Sequence, residues 1–190
     1  METNYDLIII GTGFASSFFL KNYLEIQGAN SKVLVLERGA FHPYNKRISE
    51  KRGELSLNIK KAGKTYHTKS DKIWVFDPNF GGSSNCWTGC TPRFLPNDLK
   101  LKSTYGIGSD WPITYDDLSP YYDRVEEIMQ IAGPEVTPFA KTSKYPLPPQ
   151  KLSTVDRILQ KKYGPLYISQ PTARATIAVN GRNGCCTSAV

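Results

Sequence analysis

The 190-residue sequence has few of the features on which several classes of protein depend. Four cysteines are too few for a disulfide scaffold at this length, and their spacing fits no common zinc pattern. The uncharged run from Leu7 to Leu20 is too short to span a membrane and contains two glycines, so we expect no membrane span. The early charges Glu2 and Asp6 are not typical of a secretory signal, which favours a cytoplasmic location.

The positive charge of the chain is concentrated in one segment. The net charge is +7, and the stretch from Lys46 to Lys72 holds nine Lys or Arg against three Asp or Glu. Few aromatic residues alternate with these lysines, as they would on a nucleic-acid surface, so we expect no nucleic-acid partner. We interpret the segment as a solvated, lysine-rich surface.

The first 37 residues follow the pattern of a strand, a helix and a second strand. Tyr5–Ile10 is a short apolar run with β-branched residues, which predicts a buried strand. Apolar residues at helical spacing follow, and Gly28 stands where a C-cap glycine belongs. Lys32–Glu37 predicts the second strand. The pattern indicates a right-handed βαβ unit with parallel strands, and the fold class is therefore α/β.

A longer helix is predicted from Thr114 to Ala132. Thr114 and Asp117 have the spacing of a capping box, and apolar residues follow along one face. The pair Gly133-Pro134 is expected to end this helix.

The remaining elements are predicted from shorter patterns. Asn79–Phe94 is rich in small residues and is expected to be a loop. A second helix and three short strands complete the prediction, at Leu152–Tyr163, Lys72–Phe76, Leu166–Ser169 and Ala173–Val179.

The turn after the first strand has the spacing of a dinucleotide-binding fingerprint. Gly11, Gly13 and Ser16 occupy the three positions of GxGxxG, in which glycine allows a tight turn and close approach of a pyrophosphate. Glu37 ends the next strand, where a carboxylate can accept hydrogen bonds from a ribose and disfavours NADP. Either FAD or NAD fits this pattern. The candidate binding residues are Gly11, Thr12, Gly13, Phe14, Ala15, Ser16, Glu37 and Arg38.

A second glycine-containing loop follows the lysine-rich segment. Its paired glycines would let the backbone approach a flat ligand, and its short polar side chains would suit the polar edge of an isoalloxazine ring. A polar surface loop without a ligand is the alternative. The candidate residues are Gly82, Ser83, Ser84, Asn85, Cys86, Trp87 and Thr88.

Four ordered motifs together resemble the glucose–methanol–choline (GMC) flavoprotein oxidoreductases, and among them the branch that contains pyranose oxidase. The motifs are "YDLIIIGTGFASS", "VLVLERG", "GGSSNCWTGCTPRF" and "DWPITYDDLSPYYDRVEEIMQIAG". The resemblance implies a Rossmann-like FAD-binding core with irregular insertions. It also implies that the first loop and Glu37 hold the ADP half of FAD and that Gly82–Thr88 lies against the flavin.

The resemblance further implies oxidation of an alcohol or sugar hydroxyl by hydride transfer to flavin. Family members are much longer, so we interpret the chain as the N-terminal, FAD-binding portion, incomplete relative to a full-length member. Residues 1–133 would form that portion, 134–150 a proline-rich connector, and 151–190 the truncated start of the substrate domain or of the remaining FAD domain. The expected partners are FAD, the substrate and a separate chain that carries the missing C-terminal half.

Two departures from the family limit this interpretation. In the pyranose-oxidase branch, a histidine that can bond covalently to flavin stands where this chain has Cys86, and we expect no covalent attachment here. The family's catalytic base is a histidine near the C-terminus, whereas His42 and His67 match no such motif. We therefore assign no catalytic residue and expect the chain alone to be inactive.

Two other functions remain open from the sequence. A small NAD-dependent dehydrogenase would explain the first glycine loop but neither the second loop nor the "DWPITYDDLSPYYDR" block. A non-catalytic module built on a degenerate FAD domain would bind nucleotides without turning over any alcohol.

Overall fold

The computed structural model of the chain describes residues 4–28, 30–43, 69, 71 and 77–185. These residues form two compact units, one that ends at Thr88 and one that begins at Gly89. The predicted functional division at residues 133 and 150 stays a prediction.

The first unit is built on the predicted strand, helix and strand. Strand β1 (Leu7–Ile10) and strand β2 (Val33–Leu36) are parallel, with Leu7 opposite Val33 and Ile10 opposite Leu36. Helix α1 (Phe14–Gln27) makes the connection that a parallel pair requires. The α/β class and the parallel pairing are confirmed.

Helix α1 ends where the sequence predicts. The Gly28 N–H donates to the Leu24 carbonyl at 2.9 Å, and Gly28 has a φ of +82°, which favours glycine over residues with a Cβ. The sheet of the described residues has two strands, and the predicted burial of β1 is wrong except at Ile9, since Ile10 is 82% exposed. A Rossmann FAD core therefore stays a prediction.

The second unit is mainly helical and irregular. Its helices are α2 (Leu101–Tyr105), α3 (Tyr115–Met129) and α4 (Thr154–Tyr163). Two 3₁₀ turns, at Pro96–Leu99 and Gly164–Leu166, precede α2 and follow α4. The predicted second helix is confirmed, and it begins two residues later than expected. No helix of the described ranges has the length and apolarity needed to cross a bilayer.

Helix α3 has the predicted start but a different end. The Asp117 N–H donates to the Thr114 hydroxyl oxygen and the Asp117 carboxylate accepts from the Thr114 N–H at 2.8 Å, which confirms the capping box. The helix ends at Met129 and not at Ala132, because Gln130 adopts a left-handed φ of +55°. Ala132 then exchanges two backbone hydrogen bonds with Thr172, both 2.9 Å long.

These irregular pairings form the core of the second unit. Ile131 and Ala132 are almost fully buried, and Leu147 packs against Ala132. The Leu147 N–H donates to the Ile131 carbonyl at 3.1 Å, so the predicted proline-rich connector is anchored near its end. An added Cβ at Gly133 would lie 2.3 Å from a ring carbon of Tyr145, which shows how closely the chain passes itself here.

Two of the predicted strands are wrong. The structure has a 3₁₀ turn at Gly164–Leu166 and only isolated bridges at Thr172 and Val179, so Leu166–Ser169 and Ala173–Val179 are not strands. A strand needs a neighbouring segment that pairs with it over several residues. Within the described residues these segments form only isolated bridges, each of which joins a single pair of residues. The strand predicted at Lys72–Phe76 lies outside the described residues.

Candidate functional site

The first glycine turn joins β1 to α1 with the geometry that its glycines permit. Gly11 has a φ of +90°, and its N–H donates to the Leu36 carbonyl at 2.7 Å. A Cβ added at Gly13 would meet no atom within 4 Å, so the front of the turn is open. Gly13 is the N-cap of α1 and no side chain caps it, which leaves the first N–H groups of the helix available to an anion.

Glu37 lies directly beside this turn. Its Oε2 accepts from the Thr12 N–H at 3.0 Å and from the Thr12 hydroxyl at 2.6 Å, and its Oε1 accepts from the Gly39 N–H at 2.9 Å. The hydrogen bond from the Thr12 side chain, followed by that from the Gly39 backbone, lowers the pKa of Glu37 below its ordinary value. The carboxylate is therefore ionised at neutral pH.

The second loop contacts the first loop across 69 residues of sequence. The Gly81 N–H donates to the Thr12 hydroxyl oxygen at 2.7 Å, and a Cβ added at Gly82 would lie 3.7 Å from the Gly13 Cα. The rings of Phe14 and Trp87 meet edge to face, with centroids 4.8 Å apart. The structure thus brings together the two loops that the sequence singles out separately.

Several polar side chains of the second loop bind the loop's own backbone. Gly82–Asn85 forms a 3₁₀ turn, which follows Gly81 at a φ of +96°. The Ser84 hydroxyl donates to the Gly81 carbonyl at 2.7 Å, and the Asn85 amide donates to the Phe80 carbonyl at 2.8 Å. These side chains maintain the shape of the turn, and the ligand contacts predicted for them stay predictions.

The other candidate residues lie at the edges of the two loops. Ala15 in the first turn of α1 is exposed, as is Arg38 after Glu37, and Ser16 is half-buried. In the second loop Ser83, Trp87 and Thr88 are exposed, and the half-buried Cys86 thiol lies 3.5 Å from the Ser83 carbonyl. The binding roles predicted for all these residues stay predictions.

Gly39 is a member of this site that the sequence patterns did not mark as a candidate. A Cβ at Gly39 would lie 2.1 Å from the Pro78 carbonyl oxygen, so only glycine lets the segment before the second loop pass here. The Phe80 N–H donates to the Ala40 carbonyl at 3.1 Å and adds a second connection. The sequence signal that could have marked Gly39 is its position two residues after Glu37, the carboxylate that ends the second predicted strand.

A separate cluster of buried charges lies in the second unit and was also missed. The Arg93 side chain is 1% exposed and binds both carboxylate oxygens of Glu126, through Nε at 2.7 Å and Nη2 at 2.8 Å. Arg93 also pairs with Asp123, and the Lys141 ammonium lies 3.2 Å from Glu126. Burial opposes the charge on Arg93, but hydrogen bonds to Glu126 outweigh it and raise the pKa of Arg93.

The comparisons with known proteins point to oxidoreductases. No family model matches the chain. The chain is similar to the fructose dehydrogenase large subunit of Gluconobacter japonicus, with 37% identity over 113 residues that cover 56% of this chain and 21% of the relative.

Two further relatives have longer alignments. The 2-methyl-1,2-propanediol dehydrogenase of Mycolicibacterium austroafricanum is 30% identical over 67% of this chain and 25% of the relative. The paromamine 6'-oxidase of Streptomyces fradiae is 28% identical over 69% of this chain and 24% of the relative.

Dehydrogenases and oxidases are oxidoreductases, so the relatives support the oxidoreductase part of the predicted resemblance. The chain spans about a quarter or less of the length of these three relatives. The pyranose-oxidase branch stays a prediction.

Proposed function

We propose that the chain is the FAD-binding N-terminal part of a GMC-type oxidoreductase that oxidises an alcohol or sugar hydroxyl. The observation that carries the proposal is the convergence of the two predicted loops at Thr12. A dinucleotide turn alone would fit many nucleotide-binding proteins, but a second glycine loop attached to it supplies a surface for the other half of a dinucleotide.

The first loop has the chemistry that the ADP half of FAD requires. The open space at Gly13 would accept a pyrophosphate against the uncapped start of α1, where the helix dipole favours negative charge. Glu37 is ionised and would accept a hydrogen bond from a ribose hydroxyl. Because three donors already bind this carboxylate, the ribose hydroxyl would share one of its oxygens with them.

The second loop would hold the flavin end. Exposed Trp87 offers an aromatic edge, and the exposed side chains of Ser83 and Thr88 offer short polar groups. FAD, when bound, would supply the hydride acceptor for oxidation of the substrate. The names of the relatives support a hydroxyl-bearing substrate, since they include fructose and a propanediol.

The chain is proposed to lack the base that removes the hydroxyl proton. Such a base must lie within hydrogen-bonding distance of the substrate, and histidine is the usual choice. His42 is half-buried in the segment after Glu37, and His67 lies outside the described residues. The cytoplasmic location and the separate chain with the C-terminal half stay predictions.

The test is calorimetric titration of the purified chain with FAD, NAD and ADP. We expect FAD to bind more tightly than NAD. Glu37→Ala should weaken FAD binding about tenfold, the cost of one hydrogen bond to a charged group, and Gly13→Val should weaken it more, because its side chain fills the space before the turn. Ala140→Val, an exposed alanine outside both loops, is the matched control and should bind FAD like the wild type.

Each outcome of the titration separates the competing functions. Equal FAD affinity for the wild type and Gly13→Val would contradict the assignment of the turn. A preference for NAD over FAD would favour the small dehydrogenase.

Intact-mass analysis of the denatured complex tests whether FAD is bound covalently at Cys86. A mass increase equal to FAD that disappears in Cys86→Ser would contradict the expected non-covalent binding.

A further inference from the structure

We propose that Thr12 is a positioning residue whose hydroxyl attaches the second loop to the first and orients Glu37. This inference rests on the proposed function, because it assigns Thr12 a role in preparing both halves of the FAD site. It differs from the role of a residue that touches the cofactor, since Thr12 would act through Gly81 and Glu37.

The hydrogen-bonding capacity of one hydroxyl explains this role. A threonine hydroxyl has one proton to donate and lone pairs with which to accept. Here it donates to Glu37 Oε2 at 2.6 Å and accepts from the Gly81 N–H at 2.7 Å. One side chain thus links segments that are 25 and 69 residues away in the sequence.

The two hydrogen bonds strengthen each other. The bond to Glu37 is charge-assisted, because the carboxylate is ionised. A hydroxyl whose proton is drawn toward an anion becomes a better acceptor, so the negative charge of Glu37 favours the bond from Gly81. The Thr12 N–H donates to the same carboxylate oxygen at 3.0 Å, which holds Glu37 against the turn even when the side chain changes.

The hydrogen bond between Gly81 and Thr12 should affect the whole second loop, because Gly81 lies where that loop begins. Gly81 has a φ of +96° and Gly82 a φ of +57°, and these two residues begin the turn that precedes Trp87. If the bond at Gly81 is lost, the approach of Gly82 to Gly13 loses its nearest polar connection. We therefore expect the order of the second loop to depend on the hydroxyl of residue 12.

Two substitutions separate the hydroxyl from the shape of the side chain. Thr12→Val keeps the branched shape but removes both hydrogen bonds, and it leaves the Gly81 N–H without this acceptor. Thr12→Ser keeps the hydroxyl and loses only a methyl group. If Thr12 acts by packing, both variants should be impaired to a similar degree. If its hydroxyl acts as proposed, Thr12→Val should be impaired and Thr12→Ser should resemble the wild type.

The first measurement is amide hydrogen exchange of the ligand-free chain by NMR. Thr12→Val should lower the protection of the Gly81 amide about tenfold, the cost of one net hydrogen bond, and Thr12→Ser should leave it close to wild type. The Gly28 amide, which donates to Leu24 in α1, is the internal control and should not change. Unchanged protection of Gly81 in Thr12→Val would overturn the proposal.

The second measurement is the affinity for FAD. Thr12→Val should bind FAD about tenfold more weakly, and Thr12→Ser should bind like the wild type. Equal FAD affinity of the valine variant and the wild type would contradict the role in cofactor binding. If the wild type binds no FAD, the proposed function fails, and the exchange at Gly81 still decides the role of Thr12.

Discussion

Two carboxylates, Glu37 in the first unit and Glu126 in the second, are held in opposite ways. Glu126 is buried and bound by the charged side chains of Arg93 and Lys141, so its charge is neutralised inside the protein. Glu37 accepts from neutral donors at the edge of an open turn. The first arrangement stabilises a core, whereas the second leaves a negative charge where a ligand can approach.

The same contrast appears in the glycines of the two units. A Cβ at Gly133 would collide with the ring of Tyr145, whereas a Cβ at Gly13 would meet nothing within 4 Å. The absence of a side chain serves close packing at the first position and open space at the second.

Arg93→Met should cause the largest loss of stability. The substitution leaves Glu126 buried without its bidentate partner, which costs about 3–5 kcal/mol of unfolding free energy. Urea unfolding followed by Trp111 fluorescence, in a background that carries Trp74→Phe and Trp87→Phe, measures this in the second unit. Arg182→Met, which replaces an exposed arginine of the second unit, is the matched control and should change the value by about 0.5 kcal/mol or less.

The double variant Arg93→Met/Glu126→Leu sharpens this test. Removing both partners also removes the uncompensated charge, so the double variant should be more stable than Arg93→Met alone. A double variant as unstable as the sum of the two single variants would show that the pair is not coupled.

Gly133→Ala should have an intermediate effect. The added methyl group would lie 2.3 Å from a ring carbon of Tyr145, and the shift of the ring should cost about 1–3 kcal/mol. Gly13→Ala is the matched control, with an expected cost of about 0.5 kcal/mol or less at an uncapped helix start. Equal losses in the two variants would contradict the contrast between packed and open glycines.

Tyr145→Phe should have the smallest effect, and only at alkaline pH. Burial, and then the negative charge of Glu126, raise the pKa of Tyr145 to about 12 from the ordinary 10.0. Because the folded-state pKa is the higher one, the contribution of Tyr145 is complete below pH 10 and is lost as pH rises toward 12. The phenylalanine variant should therefore lose less stability between pH 10 and 12 than the wild type.

The control for this titration is Tyr121→Phe on α3. Tyr121 is 66% exposed, so its replacement should leave the alkaline loss of the wild type in place. Urea unfolding at pH 9, 10, 11 and 12 gives the comparison. An identical pH dependence in Tyr145→Phe and the wild type would assign the alkaline loss to other groups.

The elements that could be predicted from the sequence are those whose cause is local. The apolar runs at Leu7–Ile10 and Val33–Leu36 predict β1 and β2, and the Thr114–Asp117 spacing predicts the start of α3, because each depends on neighbouring residues. The predicted end of α3 was wrong because that end depends on a residue that is distant in the sequence. Ala132 leaves the helical pattern to bind Thr172, a partner 40 residues away that no local pattern reveals.

The same distinction between local and distant causes applies to the candidate site. The proximity of Gly11, Gly13 and Glu37 could be predicted because the spacing of a strand–turn–helix places them together, whereas their binding roles stay predictions. Tertiary structure alone decided that the second loop meets the first at Thr12 and that Arg93 is buried against Glu126. Local sequence determines backbone conformation and charge, whereas the pairing of distant hydrogen-bonding groups depends on which surfaces exclude water when the chain folds.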